Sequence, residues 1–288
     1  MNAVTTLKRA VELTDLADAP RPIVHRTRGR GRGGIVRLVS PSDVGELIKP
    51  FVFLDAFDID PAHGTKFGWH PHSGIATFTY LLHGDVAYED STGAKGELHA
   101  GSVEWMQAGG GVWHTGSGLT PGRGFQLWVA LPATLENAEA RSQYLPASAV
   151  PVVDNVNVLL GSYGGQTSAV EAPAGINYLS VELKAGQRWR YQPPAGHDVA
   201  WIAMHTGALV APEAIDNGEL VVFAEGEDAL EFEAMTDAGF VLGSAVKHPH
   251  DLVLGYYSVH TSQATLDAGE ANIERIGQRL HAAGVIGR

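Results

Sequence analysis

Short apolar runs, each closed by turn-forming residues, alternate along most of the chain. Residues 50–57 and 75–82 are rich in Phe, Ile, Val and Leu, and residues 199–204 repeat the pattern in the second half. β-branched and aromatic runs of this length, bounded by Gly, Pro, Asp or Ser, are typical of strands. The pattern therefore predicts an all-β protein whose antiparallel strands close into barrels.

A helical pattern is clearest near the end of the chain. Ile273, Ile276 and Leu280 lie at helical spacing, and Asp267 followed three residues later by Glu270 has the form of a capping box. The sequence thus predicts a short C-terminal helix that begins at Asp267.

Two stretches of the chain are similar to each other. Residues 201–207 (Trp-Ile-Ala-Met-His-Thr-Gly) match residues 78–84 (Phe-Thr-Tyr-Leu-Leu-His-Gly) in their apolar pattern and in the closing glycine. This repeat predicts two related barrels, at residues 35–146 and 147–288, preceded by an N-terminal arm at residues 1–34.

Composition narrows the possible functions. The net charge of −12 lacks the cationic footprint that nucleic-acid binding needs, so no nucleic-acid partner is expected. Cysteine is absent, so any metal site must be built from His, Asp, Glu or water. No apolar run is long enough for a transmembrane helix and the N-terminus lacks a secretory pattern, which predicts a cytoplasmic protein without a membrane partner.

Three histidines form the candidate chemistry. His70 and His72 are two residues apart, so in a strand their side chains project from the same face and form a two-point chelate. His114 follows the glycines of residues 109–111, where the backbone can bend sharply, and a barrel can bring it to the same place. The sequence predicts a metal site with His70, His72 and His114 as ligands.

Six short motifs carry a resemblance to a known family. They are Pro-Phe-Val-Phe-Leu-Asp (50–55), His-Pro-His-Ser-Gly (70–74), Thr-Tyr-Leu-Leu-His-Gly (79–84), Glu-Trp-Met (104–106), Gly-Val-Trp-His (111–114) and Gln-Leu-Trp-Val (126–129). In order and spacing they closely resemble the pirin family of bicupins. The resemblance implies two tandem cupin (jelly-roll-type) β-barrels with a metal in the N-terminal one. For some members it implies dioxygenase activity on flavonols such as quercetin, while others look like transcriptional or signalling cofactors.

The chain departs from the family pattern at two positions. The family has a Glu two residues after the third histidine, where this chain has Gly116, and cupins commonly have a Glu where this chain has Ala76. On regular strands both positions share the ligand face. The predicted cofactor is therefore a weakly held divalent metal, Fe(II) in preference to Zn, Ni, Mn or Cu, or no metal if Gly116 abolishes binding. Glu104 is a candidate substitute whose orientation the sequence leaves open.

Two functions are consistent with this site. The first is a metal-dependent, quercetinase-like dioxygenase acting on a flavonol or catechol-like aromatic substrate, with its catalytic residues unassigned. The second is a non-catalytic bicupin with a degraded metal site, which binds a small molecule or a protein in a regulatory role. The sequence identifies no protein partner. In the repeat alignment Pro193 and Ala195 occupy the places of His70 and His72, so the second barrel is predicted to be degenerate and to hold no metal.

Several further residues have both a functional and a structural interpretation. His248 and His250 repeat the His-Pro-His tripeptide, and the Arg/Gly run at residues 25–34 could grip a phosphate, but solvated loops are favoured for both. Trp105 and Trp128 are predicted to belong to the barrel core. Trp69 and Trp113 remain candidates for the lining of a pocket for an aromatic substrate, and His63 and Lys66 for contact with a ligand at the barrel mouth.

Overall fold

A computed structural model describes residues 20–63 and 66–287 of the chain, without the side chains of His63 and Lys66. Within these residues the chain forms 26 strands and two α-helices. The elements of the first half are β1 (Ile23–Thr27), β2 (Arg30–Arg32), β3 (Ile35–Val39), α1 (Val44–Ile48), β4 (Phe51–Ile59), β5 (Lys66–His72), β6 (Ile75–His83), β7 (Val86–Asp90), β8 (Lys95–Leu98), β9 (Val103–Gln107), β10 (Val112–Gly118), β11 (Gly122–Ala130) and β12 (Arg141–Leu145), with a 3-10 turn at Pro61–His63.

The second half is built in the same way from shorter strands. Its elements are β13 (Val152–Val153), β14 (Val156–Leu160), β15 (Ser162–Tyr163), β16 (Gln166–Thr167), β17 (Ile176–Leu183), β18 (Arg188–Tyr191), β19 (Val199–Thr206), β20 (Ala208–Val210), β21 (Ala214–Asp216), β22 (Leu220–Phe223), β23 (Leu230–Ala234), β24 (Ala238–Ala245), β25 (Val253–Leu254), β26 (Val259–His260) and α2 (Gln263–Ala282), with a 3-10 turn at Ala147–Ala149.

The strands form two seven-stranded and two four-stranded sheets, and β1 of the first half joins the large sheet of the second half. The large sheets have the orders β12-β9-β6-β11-β4-β3-β2 and β1-β22-β19-β24-β17-β14-β13, and the small sheets have the orders β5-β10-β7-β8 and β18-β23-β20-β21. Six strands of each large sheet and all four strands of each small sheet correspond in chain order, so the repeat seen in the sequence is a repeat of topology. The seventh strands, β12 and β1, occupy the same edge but come from different places in the chain. We call the two pairs of sheets the N-terminal unit and the C-terminal unit. The predicted all-β class, with two tandem jelly-roll-type units and a C-terminal helix, is confirmed.

The two large sheets pack face to face and share one apolar core. Alternate residues of their central strands meet there, as Phe51 does with Trp201 and Phe78 with Tyr178, in edge-to-face contacts with ring centroids 5.4 Å apart in both pairs. Trp105 is fully buried in the same core, which confirms its predicted place. The opposite face of each large sheet packs towards the small sheet of the same unit.

The interiors of the two units differ. The C-terminal unit is filled by apolar side chains, among them Trp189, Phe232 and Phe240, which contact one another. The N-terminal unit has a smaller apolar cluster, around Ile59 and Leu81, and encloses a cavity that Ile59 also lines. A metal-free second half stays a prediction, and its physical basis is this apolar filling.

The Arg/Gly run at residues 25–34 was predicted to be a solvated loop, and this was wrong. Its first part lies in β1, which pairs with β22 and so completes the large sheet of the C-terminal unit, and its second part forms β2 beside β3. Ion pairs add to the backbone pairing: Arg26 contacts Glu213 and Glu219, and Arg28 contacts Glu219. Residues 1–19 of the predicted arm lie outside the described residues.

Helix α2 begins four residues earlier than the capping-box pattern predicted. Its N-cap is Ser262, whose hydroxyl accepts a hydrogen bond from the backbone N–H of Thr265, so the predicted start at Asp267 was wrong. The helix lies against the N-terminal unit, because the indole N–H of Trp113 donates to the carbonyl of Ile273 at 2.7 Å. Neither α1 nor α2 combines the length and the hydrophobicity needed to cross a membrane.

Candidate metal centre

The three predicted histidines converge on neighbouring strands. β5 and β10 are antiparallel partners in which His70 lies directly opposite His114, and His72 lies one pleat further along β5. The ring centroids are 4.3 Å (His70 to His114), 4.9 Å (His70 to His72) and 5.0 Å (His72 to His114) apart. One nitrogen from each ring lies within 4.8 Å of the others. Among the described residues this is the only such group of His, Cys, Asp or Glu.

The hydrogen bonds of two rings fix which nitrogen is free. Nδ1 of His70 lies 2.7 Å from the carbonyl oxygen of Gly68, and Nδ1 of His72 lies 3.1 Å from that of Tyr257. A carbonyl only accepts, so each Nδ1 carries the hydrogen and each Nε2 keeps its lone pair. Backbone partners of this kind are what orients histidines that ligate metals.

The free nitrogens fit a shared cation. Nε2 of His70 lies 2.9 Å from Nε2 of His114, a separation at which two lone pairs repel unless a hydrogen or a metal lies between them. Two imidazoles bound to one metal at right angles, with bonds of about 2.1 Å, would place their nitrogens about 3.0 Å apart. The donor set of three imidazoles therefore fits a divalent transition metal, although ligation itself stays a prediction.

The three imidazoles are neutral near pH 7. Burial lowers the pKa of His70, and burial followed by repulsion from His70 lowers the pKa of His72 to about 3. Burial also lowers the pKa of His114 well below its ordinary value, and the two other rings add to that effect. Because only neutral imidazole binds metal, the site is ready for ligation at neutral pH.

The two departures from the family pattern have different structural outcomes. Gly116 lies on β10 and lines the cavity beside the histidines, so the position is where the pattern predicts a carboxylate. Ala76 was predicted to share the ligand face, and this was wrong: it is fully buried in the shared core. The chain bends between β5 and β6 at Gly74, where φ is +74°, so the strand alternation starts again after His72.

Glu104 faces the cavity, which the sequence could not decide. It is 5% exposed and accepts a hydrogen bond from the hydroxyl of Thr79 at 2.6 Å. It lies outside the group of three histidines, so it does not replace the missing carboxylate as a ligand in this arrangement. The direction of the Glu104 side chain follows from the alternation of side chains along β9. Trp105 points into the shared core, so its neighbour Glu104 points to the opposite face of the sheet.

The tryptophans divide between cavity and helix. Trp128 was predicted to be core, and this was wrong: it lines the cavity, stacks on Phe53 with centroids 4.0 Å apart and contacts the edge of His72 at 4.7 Å. Trp69 also lines the cavity, as predicted for a residue beside His70. Trp113 contacts α2 instead.

The second His-Pro-His tripeptide contributes no ligand group among the described residues. His250 is exposed, as a loop residue was predicted to be, but His248 is 7% exposed, so a surface position was wrong for it. Its Nε2 lies 3.2 Å from the carbonyl oxygen of Leu131, which ties the two halves of the chain together. The side chains of His63 and Lys66 lie outside the described residues, so their predicted contact with a ligand is untested.

Sequence reasoning missed the residues that reach the site from the C-terminal end of the chain. Tyr257 lies beside the histidines, with centroids 5.7 Å from His70 and 5.9 Å from His72. Its segment is anchored by a buried cluster in which the Ser73 hydroxyl lies 2.9 Å from Nε2 of His260. A distance of almost two hundred residues separates Tyr257 from His70, and no spacing pattern in the sequence signals this contact.

The histidines form part of the wall of a cavity of about 700 Å³. Such a volume lies within the range of small-molecule sites. Aromatic side chains form a large part of the wall, and a band of polar side chains crosses the large sheet opposite the small one. The aromatic lining residues are Phe53, Phe57, Phe67, Trp69, Tyr88, Trp128, Tyr256 and Tyr257.

Comparisons with known proteins agree with this arrangement. A family model described as Pirin matches residues 35–129. A pirin-like protein of Caulobacter vibrioides is 31% identical over 242 residues, which cover 77% of this chain and 86% of that protein. The chain belongs to the pirin family. A Pseudomonas aeruginosa protein named "Putative quercetin 2,3-dioxygenase" is 30% identical to this pirin over 249 residues, which cover 78% of the chain and 85% of that protein.

Solved structures share the fold of this pirin. A quercetin 2,3-dioxygenase from Acinetobacter baumannii matches with a TM-score of 0.78 at 22% identity, over 89% of this chain and 98% of that one. A bacterial pirin from Escherichia coli, solved in complex with nickel(II), matches with a TM-score of 0.63 at 18% identity, over 80% of this chain and 99% of that one. At these identities the likeness shows the fold alone, and it confirms the predicted pair of tandem cupin units.

Proposed function

We propose that this pirin is a metal-dependent dioxygenase for a flavonol or catechol-like aromatic substrate. The observation that carries the proposal is the convergence of three neutral imidazoles on the wall of an aromatic-lined cavity of about 700 Å³. The name of the relative from Pseudomonas aeruginosa supports it. Iron is the metal we favour, in its divalent form.

The residues of the cavity suit a planar aromatic molecule. The stacked pair of Phe53 and Trp128 presents a flat apolar wall beside His72, and Tyr257 lies beside His70 and His72. Aromatic walls hold a planar ring at low entropic cost and exclude water from it. His70, His72 and His114 would hold the metal. When bound, it supplies a Lewis acid and a route for electrons between the substrate and dioxygen.

A non-catalytic binding function is the second candidate. Gly116 favours it, because the site has no carboxylate to offset the charge of a divalent metal. The same cavity would then bind an aromatic molecule without turnover.

Oxygen uptake separates the two functions. We expect the metal-loaded wild-type protein to consume oxygen when quercetin is added. The variant His114→Ala should lose this activity and bind metal more than about 100-fold more weakly, which exceeds the usual loss of an outer hydrogen-bond partner. His83→Ala, which removes an exposed histidine of the same unit, is the matched control and should behave as wild type. Binding of quercetin without oxygen uptake by the metal-loaded wild type would select the non-catalytic function.

A further inference from the structure

A row of polar side chains crosses the large sheet of the N-terminal unit at the cavity. In the strand register, Arg37 lies opposite Asp55, Asp55 opposite Gln126, Gln126 opposite Thr79, Thr79 opposite Glu104, and Glu104 opposite Tyr144. Residues directly opposite one another on antiparallel strands project from the same face. All of them except Tyr144 line the cavity. We call the five that do so the polar row: Arg37, Asp55, Gln126, Thr79 and Glu104.

Two carboxyl groups of the polar row reach the cavity, and they differ in their partners. Asp55 forms a two-point ion pair with Arg37, which neutralises its charge. Glu104 has no cationic partner among the described residues. It accepts a hydrogen bond from the hydroxyl of Thr79, at 2.6 Å, and the hydroxyl of Tyr144 also lies close to it. An unpaired carboxyl in a cavity wall remains available to a molecule in that cavity.

The hydrogen bonds of Thr79 accommodate Glu104 in both protonation states. The Thr79 hydroxyl lies 2.6 Å from an oxygen of Glu104 and 2.9 Å from the amide oxygen of Gln126, but it has only one hydrogen to donate. A protonated Glu104 donates to Thr79, which then donates to the Gln126 oxygen. When Glu104 is ionised, rotation of the Gln126 amide lets its NH₂ donate to Thr79, which donates to Glu104. The Gln126 NH₂ has no other partner in the structure, so it is free to do this.

The other groups that face Glu104 have their own partners or stay neutral. Asp90, on β7, accepts hydrogen bonds from Ser142 at 2.7 Å and from Tyr144 at 3.3 Å. Burial raises the pKa of Tyr88 and of Tyr144, so both phenols keep their protons near neutral pH. Glu104 is therefore the group of this neighbourhood that is positioned to exchange a proton with a molecule in the cavity.

We propose that Glu104 accepts the proton of an acidic aromatic hydroxyl bound in the cavity, with Thr79 and Gln126 as its hydrogen-bond partners. The O–H bond of the bound molecule breaks, its electron pair stays on the oxygen as a phenolate, and the proton binds the Glu104 carboxylate. The inference rests on the proposed function in taking an aromatic hydroxy compound as the occupant. It assigns the proton transfer to a residue that is not a metal ligand.

The protonation equilibrium of Glu104 is suited to this role. Burial, as the main cause, raises its pKa to about 7, the nearby Asp90 raises it as well, and the Thr79 and Tyr144 hydroxyls lower it in part. A general base works best when its pKa lies near the working pH. Above pH 7 most of Glu104 is an ionised acceptor, and below pH 7 most of it has lost that capacity.

The test uses quercetin as both ligand and indicator, because its long-wavelength absorption band moves to the red when a hydroxyl loses its proton. The full-length protein is treated with chelator, so that a metal cannot cause the ionisation. Above pH 7 we expect quercetin bound to the wild type to show the phenolate band. With Glu104→Gln, which keeps size and removes the acceptor, the phenolate fraction of bound quercetin should fall about tenfold or more. Glu89→Gln makes the same chemical change on an exposed residue of β7 and should leave the band unchanged.

Two further measurements separate this inference from the proposed function. In the metal-loaded protein, Glu104→Gln should lower the rate of oxygen uptake by about 100-fold, a typical loss for a general base. A phenolate band that depends on Glu104, without oxygen uptake by the wild type, would support this inference and remove the dioxygenase. Oxygen uptake and a phenolate band that both survive in Glu104→Gln would overturn this inference and leave the dioxygenase in place. Failure of the folded wild type to bind quercetin would also overturn it.

Thr79→Val is a second variant that tests the same inference if Glu104→Gln does not fold. It removes the hydroxyl that serves Glu104 in both protonation states while leaving the carboxyl in place, so the phenolate fraction should fall by less than in Glu104→Gln. Melting temperature is measured for every variant. An unchanged band in a folded Thr79→Val would contradict the assigned role of the polar row.

Discussion

Gly116 is the position at which a single side chain would change the charge of the candidate metal centre. Its φ angle lies outside the left-handed region, so a side chain there does not strain the backbone. A Cβ added to Gly116 would lie 3.7 Å from the carbonyl oxygen of Ala87 and 3.8 Å from Val86, which are ordinary contacts. The weak donor set of the site therefore reflects the absence of a side chain rather than a lack of space.

We expect Gly116→Glu to tighten metal binding by about tenfold or more, because a carboxylate would add negative charge beside three neutral imidazoles. Competition with a chromophoric chelator measures the affinity. Gly116→Gln is the matched control, since it adds nearly the same volume without charge and should bind metal about as the wild type does. If the folded Gly116→Glu protein binds iron or zinc no better than the wild type, and His114→Ala also leaves the affinity unchanged, a metal site at His70, His72 and His114 is contradicted.

At the scale of single elements, strand alternation predicts the site only inside one strand. The spacing of His70 and His72 was enough to place both rings on one face, because β5 is regular between them. The same argument failed for Ala76, since the bend at Gly74 separates it from β5. The partner strand of β5 and the contact with Tyr257 depend on register and on long-range packing, which a single sequence does not encode in any local pattern.

Helix α2 and the segment before it pack against Ser73, the residue that follows His72. Gly269 of α2 lies against Ser73 and His260: a Cβ added there would lie 2.5 Å from the Ser73 hydroxyl oxygen and 2.7 Å from Nε2 of His260. Glu136 completes this buried cluster by accepting hydrogen bonds from the backbone and side chain of Thr261, at 2.7 and 2.8 Å. Close packing at Gly269 therefore couples the helix to the strand end that carries His72.

We expect Gly269→Ala to destabilise the protein and to weaken metal binding, although alanine usually stabilises a helix by about 1 kcal/mol relative to glycine. The added methyl group would push α2 away from Ser73 and release the backbone partner of His72 at Tyr257. Thermal melting and chelator competition measure the two effects. The control is Ala271→Gly, on the exposed face of α2. It should lower the free energy of unfolding by about 1 kcal/mol and leave the metal affinity unchanged. A more stable Gly269→Ala protein would show that the contact is not close packed.

On the scale of the whole molecule, one topology has produced two different interiors. The strands that correspond to β5 and β10 in the C-terminal unit are β18 and β23, where Trp189 lies opposite Phe232. Those aromatic rings fill the space that remains a cavity in the N-terminal unit. The histidine cluster lies in one unit, and the large sheet of the other unit contributes to the core that both units share.

That shared core predicts that both units unfold together. Trp201 belongs to the C-terminal unit but packs edge-to-face on Phe51 of the N-terminal unit, so Trp201→Ala should cost about 3 to 5 kcal/mol and destabilise the metal centre along with its own unit. Metal release and far-UV circular dichroism, followed through the same denaturant titration, should give coincident transitions that shift together in the variant. Met235 of the C-terminal unit is 60% exposed, so Met235→Ala should shift neither of these two transitions. Two separate transitions, with metal release unaffected by Trp201→Ala, would mean that each unit is stabilised by its own interior and that the shared core adds little to the site.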